Sequence, residues 1–161
     1  LGCGRAPHPG YAVHHDRTKH APHVDVANDL EVTPWPWGDA SMSAIGAFDV
    51  FEHLKLPVQW WLGECWRILE PGGELMFRVP RWGTAILYAN PTHQRGFDKR
   101  TFDHWDPDRP WYERYGAHDP DLAADGRVWR IVEAREHGAN LTFRLIKRVE
   151  AGAATGQQGV A

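Results

Sequence analysis

The chain has 161 residues, of which 42% are hydrophobic and 24% are charged, a composition typical of one globular domain. Its formal net charge of −3 provides no overall positive field that would favour nucleic acid or an anionic membrane. Its two cysteines exclude a disulfide framework and have no metal-ligand spacing, and no apolar run is long enough to predict a membrane span. We therefore expect a cytoplasmic protein.

The first fifty residues predict short strands separated by loops. Strand candidates are 11–15, ending at Asp16, then 24–27, and then 44–51. The intervening segment 31–43 contains a Pro-Trp-Pro-Trp-Gly run, which predicts a loop because each proline removes a backbone donor and restricts the preceding residue.

An amphipathic helix is predicted after Pro57, a residue that suits the first turn of a helix. Apolar residues recur at helical spacing and form one stripe, made of Val58, Trp61, Leu62, Cys65 and Leu69. The run from Glu70 to Gly73 contains Pro71 and predicts the end of the helix, and 74–79 predicts the next strand.

The last third of the chain combines a long irregular segment with a hairpin. Segment 81–126 is weakly periodic, with one helical turn predicted at 101–105, and such long segments are often functional. Two β-rich runs, 128–136 and 141–149, flank a turn and predict an antiparallel hairpin. We expect one domain over 1–149, a disordered tail over 150–161, and an α/β sandwich with a mostly parallel sheet that ends in this hairpin.

A Gly-x-Gly motif at the start of the chain is the first candidate for chemistry. Gly2 and Gly4 would let the backbone approach a ligand closely, and Asp16 would stand at the end of the next strand, where a carboxylate can accept hydrogen bonds from two ribose hydroxyls. The third glycine of the dinucleotide motif is replaced by Pro7, so an ordinary turn is the alternative.

Several segments in the first half resemble the class I S-adenosylmethionine-dependent methyltransferases, in particular their short type-11-like group. The matching segments are Leu1-Gly2-Cys3-Gly4, Pro9-Gly10-Tyr11 before Asp16, Asn28-Asp29-Leu30, Trp35-Pro36-Trp37-Gly38-Asp39, Asp49-Val50-Phe51-Glu52-His53-Leu54, Trp66-Arg67-Ile68-Leu69-Glu70-Pro71-Gly72-Gly73 and Arg78-Val79-Pro80. The resemblance covers about residues 1–80 and implies a Rossmann-like three-layer sandwich. The apolar strand that precedes the glycine motif in this group is missing from the sequence, so we expect a truncated domain.

The resemblance also implies a site for S-adenosylmethionine. Gly2 and Gly4 would line its methionine and ribose portion, and Asp16 would bind the ribose. Asp29 and Leu30 would flank the adenine, with the carboxylate facing the exocyclic amine.

The transferred methyl group would lie near the next strand end. Asp49 would stand beside the sulfonium, and His53 and His93 are the candidate catalytic bases for an acceptor that carries a proton. Glu52 is interpreted as a structural partner. The implied reaction is methyl transfer by in-line displacement to an unidentified acceptor, which we expect to be a small molecule gated by 81–126.

The sequence also permits other interpretations. A truncated, non-catalytic methyltransferase-like domain could act as a binding module. A nicotinamide-dependent oxidoreductase is disfavoured by Pro7.

The histidines between residues 14 and 23 lack paired ligand geometry, so no metal site is predicted. The basic residues of the hairpin indicate a solvated face, not a nucleic-acid surface.

Overall fold

The structure is a computed structural model that describes residues 1–116 and 127–148. The predicted tail over 150–161 and part of the predicted gate, 117–126, lie outside these residues. The strands are β1 (His15–Asp16), β2 (Val26–Ala27), β3 (Met42–Phe48), β4 (Leu69–Pro80), β5 (Trp129–His137) and β6 (Asn140–Lys147). The α-helices are α1 (Val58–Ile68) and α2 (Ala85–Ala89), and short 3-10 turns lie at Phe51–His53 and Asp103–Trp105, with a π-helical turn at Tyr112–Gly116.

The strands form two sheets. β1 and β2 pair in parallel over two residues each, and the larger sheet has the order β3-β4-β6-β5. In the larger sheet β3 and β4 are parallel, whereas β6 is antiparallel to both β4 and β5. The prediction of a mostly parallel sheet is therefore not confirmed, because the C-terminal hairpin enters directly beside β4 and contributes two of the three pairings. The α/β character and the hairpin are confirmed, and the three-layer arrangement stays a prediction.

The predicted turn at 70–73 lies inside β4. Met42 pairs with Leu69 and Ala44 pairs with Glu74, so β4 bulges by several residues between these two pairs. Gly72 has a φ of +78°, a conformation that glycine adopts readily, which explains why the glycine is needed at the bulge. The helix ends at Ile68, one residue before the end of the predicted stripe, and the chain enters β4 at Leu69.

Helix α1 covers one face of the sheet through the predicted stripe. Trp61, Leu62 and Cys65 are at most 1% exposed, and Trp61 stacks on Phe51 with ring centroids 4.1 Å apart. Phe77 of β4 stacks on Phe143 of β6 at 5.1 Å. Burial of each such side chain contributes roughly 1.5–3 kcal/mol, so this aromatic core is the main stabilising unit of the fold.

The segment after β4 is packed against the sheet for most of its described length. Phe97, Phe102 and Trp105 are buried in the core. Asp106, 1% exposed, accepts hydrogen bonds from the backbone N–H of Ile131 at 2.8 Å and from Arg148 at 3.0 Å. This carboxylate attaches the segment to the first strand of the hairpin.

The glycine motif lies between the two sheets. The amino group of Leu1 donates to the Gly46 carbonyl of β3 at 2.5 Å, and the N–H of Cys3 donates to the His15 carbonyl of β1 at 2.8 Å. The motif therefore adjoins the ends of both β1 and β3. Among the described residues, no helix has the length and apolar character needed to cross a membrane.

Candidate functional site

The backbone of the glycine motif requires glycine at two positions. Gly2 and Gly4 both have a φ of +59°, in the left-handed region that other residues adopt at a cost. A Cβ atom on Gly2 would lie 2.5 Å from Cγ2 of Val50, whereas a Cβ on Gly4 would meet no atom within 4 Å. The backbone at Gly2 is thus packed on the residue after Asp49, and the backbone at Gly4 faces open space.

Asp16 is hydrogen-bonded to this motif. Its Oδ2 accepts the N–H of Gly4 at 2.8 Å, and its Oδ1 accepts the N–H of Arg17 at 2.7 Å. An ionised carboxylate offers about four lone-pair positions, so both oxygens can still accept hydrogen bonds from a ligand. The carboxylate is held in place at the end of β1 and remains half-exposed.

Asp29 and Leu30 follow β2 and have different environments. Asp29 forms an ion pair with Arg17 at 2.8 Å and accepts the N–H of Glu31 at 3.1 Å. The side chain of Leu30 is 5% exposed and belongs to the hydrophobic core. Of this pair only Asp29 is partly exposed, and the predicted contacts of both residues with adenine stay predictions.

Two histidines that the sequence did not single out individually contact the glycine motif. Nε2 of His20 and Nε2 of His23 lie 2.7 Å and 3.0 Å from the carbonyl oxygen of Gly4. Hydrogen bonds to the carbonyls of Gly4 and Thr18 raise the pKa of His20. These imidazoles fix the backbone of the motif, and their spacing in the sequence gave no indication of this role.

Asp49 ends β3 in an unusual conformation. Its φ is +58°, and its carboxylate is held by the guanidinium of Arg78 on β4, with Nε donating to Oδ1 at 2.8 Å. The left-handed residue stops the strand and directs the chain into the 3-10 turn Phe51–His53. The predicted strand 44–51 therefore ends at Phe48, and this shorter strand turns Glu52 toward the interior.

His53 and His93 lie side by side, with ring centroids 4.8 Å apart. Nδ1 of His53 is 2.9 Å from the hydroxyl of Thr92, and Nδ1 of His93 is 3.2 Å from the carbonyl oxygen of Leu87. Burial, and then the neighbouring His93, lower the pKa of His53. The structure thus brings together the two candidate bases, which are 40 residues apart in the sequence.

Glu52 completes this cluster. The residue is 1% exposed, and its Oε2 is buried without a hydrogen-bond partner among the described residues. Burial raises the pKa of this carboxyl to about 7. One potential ligand atom each from Glu52, His53 and His93 can be chosen so that all three lie within 4.8 Å of one another. From the sequence, Glu52 was interpreted as a structural partner, because nothing in the residues adjacent to it in the chain indicated that its side chain is buried.

A cavity of about 330 Å³ lies beside the glycine motif. It is bordered by Gly2 and Cys3 on one side and by Tyr11, Phe48 and His14 on others. The volume is within the range of roughly 300–1,000 Å³ that small-molecule sites occupy. The predicted carboxylates of Asp16, Asp29 and Asp49 do not line this cavity.

No family model and no curated protein sequence matches the chain. Among solved structures, an S-adenosylmethionine-dependent methyltransferase from Aquifex aeolicus is similar, with a TM-score of 0.46, 17% identity, and coverage of 78% of this chain and 56% of that one. The N-methyltransferase NodS from Bradyrhizobium japonicum WM9, in complex with S-adenosyl-L-homocysteine, has a TM-score of 0.45 and 18% identity. The match covers 81% of this chain and 58% of that one. A possible exported protein from Bordetella parapertussis has a TM-score of 0.42 and 12% identity, with coverage of 79% of this chain and 45% of that one.

The chain spans little more than half the length of the two methyltransferases. A similarity of this degree describes partial likeness of shape, and we take neither an activity nor a residue role from it.

Proposed function

We propose that this chain binds S-adenosylmethionine and takes part in methyl transfer to a small-molecule acceptor. The observation that carries the proposal is the contact between the Asp16 carboxylate and the N–H of Gly4 at 2.8 Å. It joins the carboxylate at the end of β1 to a turn whose two glycines have positive φ. A carboxylate at a strand end beside a glycine turn is the arrangement that binds the ribose and the adjoining part of a nucleotide cofactor.

The residues present fit the cofactor on the side of Gly4. The space around Gly4 is open, and both oxygens of Asp16 retain lone pairs for adjacent hydroxyl groups. In the proposal Asp16 binds the ribose, Gly2 and Gly4 offer close backbone approach, and Asp29 accepts a hydrogen bond from the adenine amine.

The cofactor supplies a methyl group on a positively charged sulfur, which is a good leaving group. For the protein, the remaining task is to orient the acceptor and to remove its proton, and orientation alone can contribute up to ~7–11 kcal/mol. Asp49 supplies negative charge near the strand end, although Arg78 neutralises part of it. His53 and His93 are proposed to accept the proton, because hydrogen bonds at Nδ1 leave Nε2 available on each ring.

The acceptor is proposed to contact the exposed aromatic residues that follow β4. Trp82 and Tyr88 are 62% and 66% exposed, and their rings lie 6.4 Å apart. Exposed aromatic side chains of this size commonly mark contact surfaces. Their position shortly after the carboxyl end of β4 is consistent with a role of this segment in holding the acceptor.

Calorimetric titration with S-adenosylmethionine, S-adenosylhomocysteine and NAD tests the cofactor. We expect binding of the first two, and a loss of affinity of at least tenfold, or about 1.4 kcal/mol, in Asp16→Ala. Asp25→Ala is the matched control, because Asp25 is an exposed carboxylate that also accepts one backbone N–H, from His14. Circular dichroism verifies that both variants are folded.

Two results would contradict the proposal. Tight binding of NAD in place of the sulfonium cofactor would indicate an oxidoreductase. Equal loss of S-adenosylhomocysteine binding in Asp16→Ala and Asp25→Ala would show that Asp16 has no specific role.

A further inference from the structure

The cluster of Glu52, His53 and His93 has features that a pair of catalytic bases does not explain. The three side chains come from two separate segments, the 3-10 turn after β3 and the loop after α2. Their potential ligand atoms converge within 4.8 Å. Two imidazoles and one carboxylate form a ligand set that occurs at protein sites for zinc and for iron.

The hydrogen bonds fix which nitrogen of each ring is free. The Leu87 carbonyl can only accept, so Nδ1 of His93 must donate to it. The hydroxyl of Thr92 donates to Oδ1 of Asn90 at 2.8 Å, which leaves its oxygen to accept a hydrogen bond from Nδ1 of His53. Both rings therefore carry their proton on Nδ1 and present a bare Nε2, and metal-binding histidines usually donate their second N–H in this way.

The carboxylate gives the second, independent indication. Oε2 of Glu52 is buried and has no hydrogen-bond partner among residues 1–116 and 127–148. A buried carboxylate oxygen without a partner is unfavourable, so proteins rarely retain one without a function. A positively charged ligand would satisfy it.

We propose that Glu52, His53 and His93 bind a divalent transition-metal ion of the zinc, cobalt or iron type. An ion at the centre of a triangle with 4.8 Å sides lies about 2.8 Å from each corner. Ligand distances at zinc are ~2.0–2.2 Å, so each ligand atom needs to move toward the ion by roughly 0.6–0.8 Å at most.

The backbone around the cluster is already fixed. The N–H of Gln94 donates to the Glu52 carbonyl at 2.7 Å and links the two segments, and the N–H of His53 donates to the Val50 carbonyl at 3.0 Å. Magnesium and calcium prefer oxygen ligands and are disfavoured by two imidazoles. The ligand set therefore predicts selectivity for transition metals.

Three protein ligands leave at least one position on the ion for another molecule. A hydroxyl or water bound there would lose its proton far more readily than in free solution, since zinc-bound water has a pKa near ~7. A methyl acceptor bound to the ion would then release its proton to solvent water, and His53 and His93 would act as ligands and not as bases. This last step rests on the proposed methyl transfer, whereas binding of the ion does not.

Titration of the chelator-treated full chain with Co²⁺ tests the site, because the visible absorption of Co²⁺ changes with the number, type and geometry of its ligands. We expect one Co²⁺ per chain, displacement by Zn²⁺, and no competition from Mg²⁺. His93→Ala and Glu52→Gln should each weaken binding at least tenfold. Thr92→Val should weaken it by roughly tenfold through loss of the hydrogen bond that orients His53.

The matched control is the double variant His20→Ala with His23→Ala, which removes two neighbouring imidazoles near Gly4. It should leave Co²⁺ affinity unchanged. Binding that disappears in this control but persists in His93→Ala and Thr92→Val would overturn the proposal, as would equal affinity for Mg²⁺ or no visible absorption at all. Because S-adenosylhomocysteine can be titrated separately with and without Co²⁺, failure of either proposal is distinguishable from failure of the other.

Discussion

The larger sheet and the N-terminal segment, residues 1–41, are held together by different interactions. β4 and β6 pair over seven residues, and the face that they share with α1 is filled by stacked aromatic rings. In the N-terminal segment β1 and β2 pair over two residues, and the buried apolar side chains are Val24, Leu30 and Trp35.

Polar contacts hold much of the N-terminal segment in place, beside the core residues Leu30 and Trp35. Asp16 holds Gly4, and Glu31 accepts the N–H groups of Lys55 and Leu56 at 2.7 Å and 3.2 Å. Arg67 of α1 donates to the carbonyl of Trp37 at 2.8 Å. The difference shows a division of roles, in which apolar burial stabilises the sheet and charged groups position the segment that carries the proposed cofactor site.

The largest effect should follow from a change in the core of the sheet. Trp61→Ala removes a fully buried ring that stacks on Phe51 and touches Phe77 and Phe102, so we expect a loss of about 3–5 kcal/mol in the free energy of unfolding. Urea denaturation followed by circular dichroism measures it. Trp61→Phe, a smaller change, gives a second value if the alanine variant is unfolded.

The neighbouring residue provides the control. Trp60 is on the same helix but is 58% exposed, so Trp60→Ala should change the free energy of unfolding by no more than about 0.5 kcal/mol. Comparable losses for the two tryptophans would show that the aromatic stack is not the main stabilising unit.

An intermediate effect is expected in the glycine motif. Gly4→Ala places a Cβ in open space at a φ of +59°, which should cost about 1–2 kcal/mol. Gly2→Ala has the same backbone strain and also the contact with Val50, so its loss should be larger. In a chain that already carries Gly2→Ala, the further change Val50→Ala should recover the additional loss in the free energy of unfolding. Urea denaturation of the native chain, the two single variants and the double variant measures this coupling. Equal losses at both glycines would contradict the packing of Gly2 on Val50.

The smallest effect is expected in the 3-10 turn after β3. Glu52→Gln removes a buried negative charge, so in metal-free protein at about pH 8 we expect a gain of about 1 kcal/mol in the free energy of unfolding. Burial raises the pKa of Glu52 to about 7, so folding favours its protonated form. The native carboxyl therefore destabilises the fold as the pH rises from the pKa of the unfolded chain toward 7, and the gain from glutamine should vanish below about pH 4.

Thermal unfolding at several pH values with a chelator present measures this gain. Glu70→Gln, at an exposed glutamate, is the control and should show no such trend. A loss of stability in Glu52→Gln would indicate that the carboxylate has a partner in the folded protein.

The local pattern of apolar and polar residues was sufficient to predict the helix and the strands that bury one face. Helix α1 was predicted because Val58, Trp61 and Leu62 begin a regular apolar stripe, and the hairpin was predicted because apolar and polar residues alternate around its turn. The sheet order could not be predicted, because it depends on which neighbour each strand selects. The bulge at 70–73 resembled a turn, since Pro71 and the glycines favour both.

For the site, the sequence placed Asp16 and the Gly-x-Gly turn on one ligand, and that assignment stays a prediction. The hydrogen bond between Asp16 and Gly4 was not predicted. The burial of Glu52 was not predicted either, because it depends on Asp49 adopting a φ of +58°, a conformation that no local pattern indicated. The approach of His53 and His93 depends on the path of a 39-residue intervening chain, which the sequence alone does not describe.

The two cysteines lie one in each of the regions compared above. Cys3 is half-buried within the glycine motif, whereas Cys65 is fully buried in α1, and burial raises the pKa of both thiols. An alkylating reagent at neutral pH should therefore modify the partly exposed Cys3 in the folded protein, and should reach Cys65 only when the sheet and helix separate. Mass spectrometry of the Cys65 peptide would then time the opening of the core in the unaltered protein, with Cys3 as the internal reference for reagent activity.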